Sequence, residues 1–89
     1  MRAVITVVGQ DKIGIIAEVS RVLADNKINI LDISQTIMQD MFTMIMLVNV
    51  DKSVVSFKEI SETLHQLGES LHLSIRIQHE DLFHSMHRI

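Results

Sequence analysis

Residues 28–50 read INILDISQTIMQDMFTMIMLVNV, and the periodicity of this stretch decides the fold. From Ile28 to Met38, the apolar residues Leu31, Ile33 and Ile37 fall on one side and Asp32, Ser34 and Thr36 on the other, the period-two pattern of a half-exposed strand. From Met41 to Val50, Phe42, Met44, Met46, Val48 and Val50 recur at the same period. The four Met within residues 38–46 resemble a soft ligand cluster, but flexible thioethers on one strand face are more simply core filler. Only Gln39-Asp40 separates the two runs, so they pair as a hairpin. That turn lacks the Asn-Gly or Asp-Gly signal, which leaves the register open by a residue or two.

Outward from the hairpin, each flank supplies one strand and one helix. On the N-terminal side, Arg2 to Val8 is a near-continuous β-branched run ended by Gly9, which suggests a central strand. A polar loop, Gln10 to Gly14, follows. Ile16, Val19, Ser20 and Leu23 then recur at helical spacing, with Glu18, Arg21 and Asp25 opposite, giving an amphipathic helix of about four turns that ends at Asn26-Lys27. On the C-terminal side, Phe57, Ile60, Leu64, Leu67 and Leu71 form one stripe, with Ser61 and Gly68 as small residues within it. Ser56 and Glu59 read as a capping box and Val55 as a staple onto Ile60, so residues 56–70 are expected to be helical. In His72 to Glu80, Leu73, Ile75 and Ile77 point inward while His72, Ser74, Arg76 and Gln78 point outward, a fourth strand.

The order is β-α-β-β-α-β, the α+β ferredoxin-like sandwich: a four-stranded antiparallel sheet of order 2-3-1-4 with two helices on one face. The chain of 89 residues is one domain over residues 1–80 plus an apolar tail over 81–89. Leu82, Phe83, Met86 and Ile89 in that tail lie near helical spacing, so a short C-terminal helix is expected to cover a neighbouring subunit or the sheet's open face. A chain this small gains stability from association, and strand two, at a sheet edge with no Pro or Lys in residues 28–38, offers an unprotected ladder to a second copy. A homodimer is the expectation.

Composition removes several functions. Eight Lys and Arg against eleven Asp and Glu give a net charge of −3, so the basic excess that phosphate backbones select for is missing and nucleic acid is not an expected partner. An RNA-reading sheet of this topology would carry aromatic platforms, yet strand three has only Phe42 and strand one has no aromatic. Zero Cys excludes disulfides, thiolate nucleophiles and the Cys pair of a metallochaperone. The apolar run Ala3 to Val8 is too short for a secretory core or a membrane span, so a cytoplasmic location is the default and no membrane partner is expected.

His84 and His87 at i, i+3, with His79 nearby, permit a metal hypothesis, but solvated or dipole-paired His is the commoner outcome and no metal or cofactor is expected. His65 reads as plain surface. No Ser or Asp stands beside a His in a recognisable catalytic motif, so no catalytic residue is assigned and the chain reads as a non-enzyme. An acylphosphatase-like hydrolase survives as a low alternative, with Lys12 replacing the cradling Arg as a point charge.

The segment Val7-Val8-Gly9-Gln10-Asp11-Lys12-Ile13-Gly14-Ile15, the helix end Leu23-Ala24-Asp25-Asn26-Lys27 and the triplet Ile28-Asn29-Ile30 together resemble the ACT domain, over residues 2–80. More narrowly, the chain is similar to small stand-alone ACT-domain proteins and to one half of the glycine cleavage system repressor. The resemblance implies a regulatory module that binds a small ligand, an amino acid above all, at a homodimer interface and signals to a regulated protein. It implies that Asp11, Lys12, Ile13 and Gly14 form the ligand-contacting loop and that Asn29 reaches the ligand from the adjacent subunit. Gly14 would let backbone amides approach a carboxylate, and Asp11 would take the ammonium. The same residues also fit structural roles: Asp11 as a helix cap, Gly14 as a close-packing residue, Asn29 as the partner of an edge carbonyl. Ile13 stands where the family usually has Pro, so the loop lacks a fixed dihedral. A constitutive interaction domain without ligand is the alternative of another class.

Overall fold

The computed structural model describes residues 1–86, with side chains through Phe83. Seven elements follow in chain order: β1 (Arg2–Gln10), α1 (Ile15–Asp25), β2 (Asn29–Met38), β3 (Met41–Asn49), α2 (Phe57–Leu71), β4 (Leu73–His79) and α3 (Glu80–Met86). The sheet is antiparallel throughout and runs β2-β3-β1-β4, the order expected of the ferredoxin-like arrangement. Met38 pairs with Met41, so Gln39-Asp40 closes a two-residue turn, and Gln39 takes the positive φ of 58° that such a turn needs.

One apolar layer lies between the sheet and the two long helices. Ala3, Ile5 and Val7 of β1, Phe42, Met44, Met46 and Val48 of β3, and Leu73, Ile75 and Ile77 of β4 meet Val19 and Leu23 of α1 and Ile60 and Leu64 of α2. Met44 and Met46 have no exposed surface, so the methionine run is core. Ser56 caps α2: its Oγ accepts from the Glu59 amide at 3.1 Å, while the Glu59 carboxylate accepts from the Ser56 hydroxyl at 3.2 Å. Gly68 is required where α2 meets β4, because a Cβ there would lie 2.6 Å from the Leu73 carbonyl oxygen.

Two details of the pattern reading are corrected. On α1 the inward residue of the first turn is Ile15, at 2% exposure, and Ile16 is 39% exposed. Both positions keep helical spacing to Val19 and Leu23, and the entry of the chain through Gly14 selects between them. On β2 a bulge at Leu31 shifts the register between Ile30 and Asp32. Ile30, Ile33 and Ile37 therefore share the helix side of the sheet, opposite Val48, Met46 and Phe42, and Leu31 drops out of that row.

The tail forms a helix on the opposite side of the sheet from α1 and α2. Among the other elements α3 touches β1 and β4. Val4, whose side chain is on the face away from the core layer, is nevertheless 5% exposed. Arg2 Nε donates to Glu80 Oε2 at 2.9 Å and ties α3 to β1. This hydrogen bond, aided by the charge of Glu80, raises the guanidinium pKa above its already high ordinary value. The side chain of His84, and His87 altogether, lie outside the described residues, and so does the metal reading that used them. His65 pairs with Glu69 at 3.0 Å on the exposed side of α2, and His79 stacks on Phe57 with centroids 4.1 Å apart.

Candidate functional site

The loop after β1 is held by its backbone. The Asp11 amide donates to the Asp40 carbonyl at 2.8 Å, which fastens the loop to the β2–β3 turn. Gly14 follows as the N-cap of α1 with φ 93° and ψ 1°, a left-handed conformation that costs an L-residue about 1–2 kcal/mol and glycine almost nothing. A Cβ at Gly14 would meet nothing within 4 Å, so glycine is demanded by the dihedral and close helix packing is not its reason. The Gly14 carbonyl accepts from Glu18 at 2.9 Å and starts the helix ladder. No side chain among the described residues caps α1, so Asp11 is not a helix cap. The first-turn amides, at the positive end of the helix dipole, thus have no side-chain capping oxygen among the described residues.

The other loop positions differ in what they can offer. Lys12 is committed, because its Nζ donates to the Leu71 carbonyl at the C-terminal end of α2. That contact satisfies a helix-end acceptor and places the cation at the negative end of a dipole. It also withdraws the one loop cation that a phosphate-directed hydrolase would need. Ile13 projects fully into solvent. Asp11 is exposed beside the turn.

Asn29 does not join this group within one chain. Its register partner is Asn49, which in turn pairs with Arg2, whereas the loop follows Gln10 at the other end of β1. Nine residues of strand separate the two ends by about 26 Å. Around Asn29 the structure assembles Lys27, Asn49, Asp51 and Lys52 into a polar pocket of about 330 Å3. Sequence reasoning passed over this group; the signal was the pairing of Asn29 with Asn49, which depends on the Leu31 bulge and so cannot be counted off the alternation. Among the described residues no cluster of three His, Asp or Glu side chains is arranged to hold a metal ion, and no helix is long and apolar enough to cross a membrane.

A four-stranded split βαβ sandwich is an arrangement shared by domains of many unrelated functions, so the class of domain is read from the chain's relatives. The chain belongs to the ACT domain family, whose model matches residues 2–78. A UPF0237 protein of Clostridium acetobutylicum is 58% identical over 89 residues, the full length of both chains. Among solved structures, an ACT domain protein from Streptococcus pneumoniae superposes with a TM-score of 0.80 at 41% identity and 93% coverage of each chain. A protein assigned as a glycine cleavage system transcriptional repressor superposes with a TM-score of 0.74 at 29% identity, covering 86% of this chain and 44% of the other. ACT domains are regulatory, ligand-binding modules without catalytic machinery of their own.

Proposed function

We propose that the chain is a non-catalytic regulatory module that binds an amino acid at a homodimer interface, with Asp11, Lys12, Ile13 and Gly14 of one protomer and Asn29 of its twin around the ligand. The observation that carries this reading is the pair of incomplete ends. The uncapped first turn of α1 stands at one end of the sheet, and Asn29 stands at the other, on an edge strand that among the described residues has no strand paired to its outer side. If two β2 edges pair antiparallel about a two-fold axis, Asn29 of each copy comes beside Met38 of its twin. Met38 pairs with Met41, and Met41 with Gln10, so Asn29 then lies at the loop end of the neighbouring protomer.

Edge energetics favour that pairing. Ile33 and Ile37, on the helix side of β2, are 40% and 52% exposed and gain cover in an eight-stranded sheet. In the site so formed, the α1 amides bind the carboxylate and the Asp11 carboxylate binds the ammonium. Lys12 contributes its aliphatic stem and its hold on α2, because its ammonium is engaged by Leu71. Occupancy then tightens the β2–β2 contact, and a regulated protein reads the tightened dimer.

Thermal unfolding against the twenty amino acids tests this. A ligand at 100 times its dissociation constant stabilises the fold by about 2.7 kcal/mol, which is roughly 10–20 °C for a domain of this size. Asn29→Ala and Gly14→Val are expected to remove the shift with the dimer retained. A shift that persists in both variants would refute this placement of the site. No shift with any amino acid would favour the ligand-free interaction domain, which the exposed Ile33 and Ile37 also suit.

A further inference from the structure

At the end of the sheet where β2 begins, Lys27, Asn29, Asn49, Asp51 and Lys52 line a pocket of about 330 Å3, near the lower limit of the ~300–1,000 Å3 of small-molecule sites. Two loops build it, and the Val54 amide ties them together by donating to the Asn26 carbonyl at 3.1 Å. Lys27 and Lys52 are thus held at one pocket, where their like charges repel. The acceptors nearby are already engaged. Asp51 pairs with the N-terminal ammonium of Met1, and the Asn49 side-chain oxygen accepts from the Asp51 amide at 2.9 Å. The last carbonyls of α1 are taken by Asn26, whose Nδ2 donates to Val22 at 2.8 Å, and by the Lys27 amide, which donates to Ala24 at 3.1 Å. Among the described residues the Lys27 and Lys52 ammonium groups and the Asn29 amide side chain have no partner. Cations and amide donors without an acceptor are the chemistry that receives a carboxylate.

We infer that the amino acid bound at the proposed site has an acidic side chain, whose carboxylate enters this pocket between Lys27 and Lys52. The inference rests on the β2-edge dimer and the Asn29 contact proposed above. Asn29 is the link, because it lines the pocket and, in that dimer, faces the loop end of its twin. There the Asp11 amide holds the twin's loop against its turn at Asp40, so a ligand touching Asn29 has that loop on one side and the two lysines on the other. The α1 amides take the α-carboxylate and Asp11 takes the ammonium, which leaves the side chain to pass Asn29 into the pocket. The twin's turn also brings Asp40 to this end. Asp40 matches one lysine, so one cation is left for the ligand. A neutral side chain would leave that ammonium and the Asn29 amide facing it unpaired, and a basic side chain would add a further like charge.

Isothermal titration calorimetry on the full chain, with each of the twenty amino acids, separates this inference from the reading beneath it. Glutamate against glutamine and aspartate against asparagine are the deciding pairs, because each acid and its amide have nearly the same shape and differ in charge. The better acid is expected to bind about tenfold more tightly than its amide, with a smaller margin at about 0.5 M salt. Lys27→Met and Lys52→Met keep the aliphatic stem and remove the ammonium. Each is expected to cut the margin to about threefold or less while the amide's affinity stays as in wild type, which also shows that the variant is folded. If an amide binds as tightly as its acid, or a neutral or basic amino acid binds more tightly than either acid, the acidic side chain is overturned and the loop site stands. If the acid preference persists in both lysine variants, the carboxylate lies elsewhere and the pocket is overturned. If none of the twenty binds, this inference and the proposed function fall together.

Discussion

Replacing Gly68 by Ala sets two physical terms against each other. By helix propensity alone, Gly→Ala within α2 stabilises by about 1 kcal/mol. The packing says the opposite. A Cβ at position 68 would lie 2.6 Å from the Leu73 carbonyl oxygen, 3.2 Å from Ile75 Cγ1 and 3.4 Å from the Ile75 amide nitrogen. The nearest atom is backbone of β4, which is hydrogen-bonded to β1, so the strain is relieved only by lifting α2 from the sheet. Overpacking costs about 1–3 kcal/mol, and a clash with strand backbone rather than with a flexible side-chain end lies in the upper part of that range, about 2–3 kcal/mol, so after the propensity gain Gly68→Ala is expected to destabilise by about 1–2 kcal/mol, or roughly 5–10 °C. Gln66→Gly beside Gln66→Ala, on the exposed side of the same helix, calibrates the propensity term and should span about 1 kcal/mol in favour of Ala. Urea titration at one fixed protein concentration measures all three. A Gly68→Ala protein as stable as wild type or more so would refute the close approach of α2 to β4.

Gly14→Ala meets open space and is expected to cost about 1–2 kcal/mol from its left-handed dihedral alone, with Gly14→Asn costing less; equal stability of all three proteins would show that the positive φ is not kept in solution. Ser56→Ala removes the acceptor for the Glu59 amide and should lose about 1 kcal/mol in the same titration, where no change would mean the cap is not formed. Met46→Ala, at a fully buried position paired with Ile5 and Ile33, should lose about 2–5 kcal/mol, and a loss below 1 kcal/mol would contradict a packed core there.

The fold was largely legible in the sequence because its signals are local. Alternation over residues 41–50 and 72–80, the stripe Phe57, Ile60, Leu64 and Leu67, and the Ser56–Glu59 box each encode an element within one window, and together they dictate the β-α-β-β-α-β order. Where the reading slipped, the cause was a local event that shifts phase: the left-handed entry at Gly14 turned α1 so that Ile15 rather than Ile16 is buried, and the Leu31 bulge moved Ile30 into the row of Ile33 and Ile37. The candidate site was legible only as residue types. That Lys12 donates to Leu71, 59 positions away, depends on the docking of α2, and no spacing along the chain encodes it.

Residue order alone determined which segments are strands and helices, their β-α-β-β-α-β succession and the absence of thiol chemistry. Tertiary structure alone decided that Asn29 stands at the far end of the sheet from the Asp11–Gly14 loop, with Asn49 as its register partner and Lys27 and Lys52 beside it. The physical reason is range: backbone preference and periodic burial act over a few residues, whereas register and face are set by contacts between segments tens of residues apart.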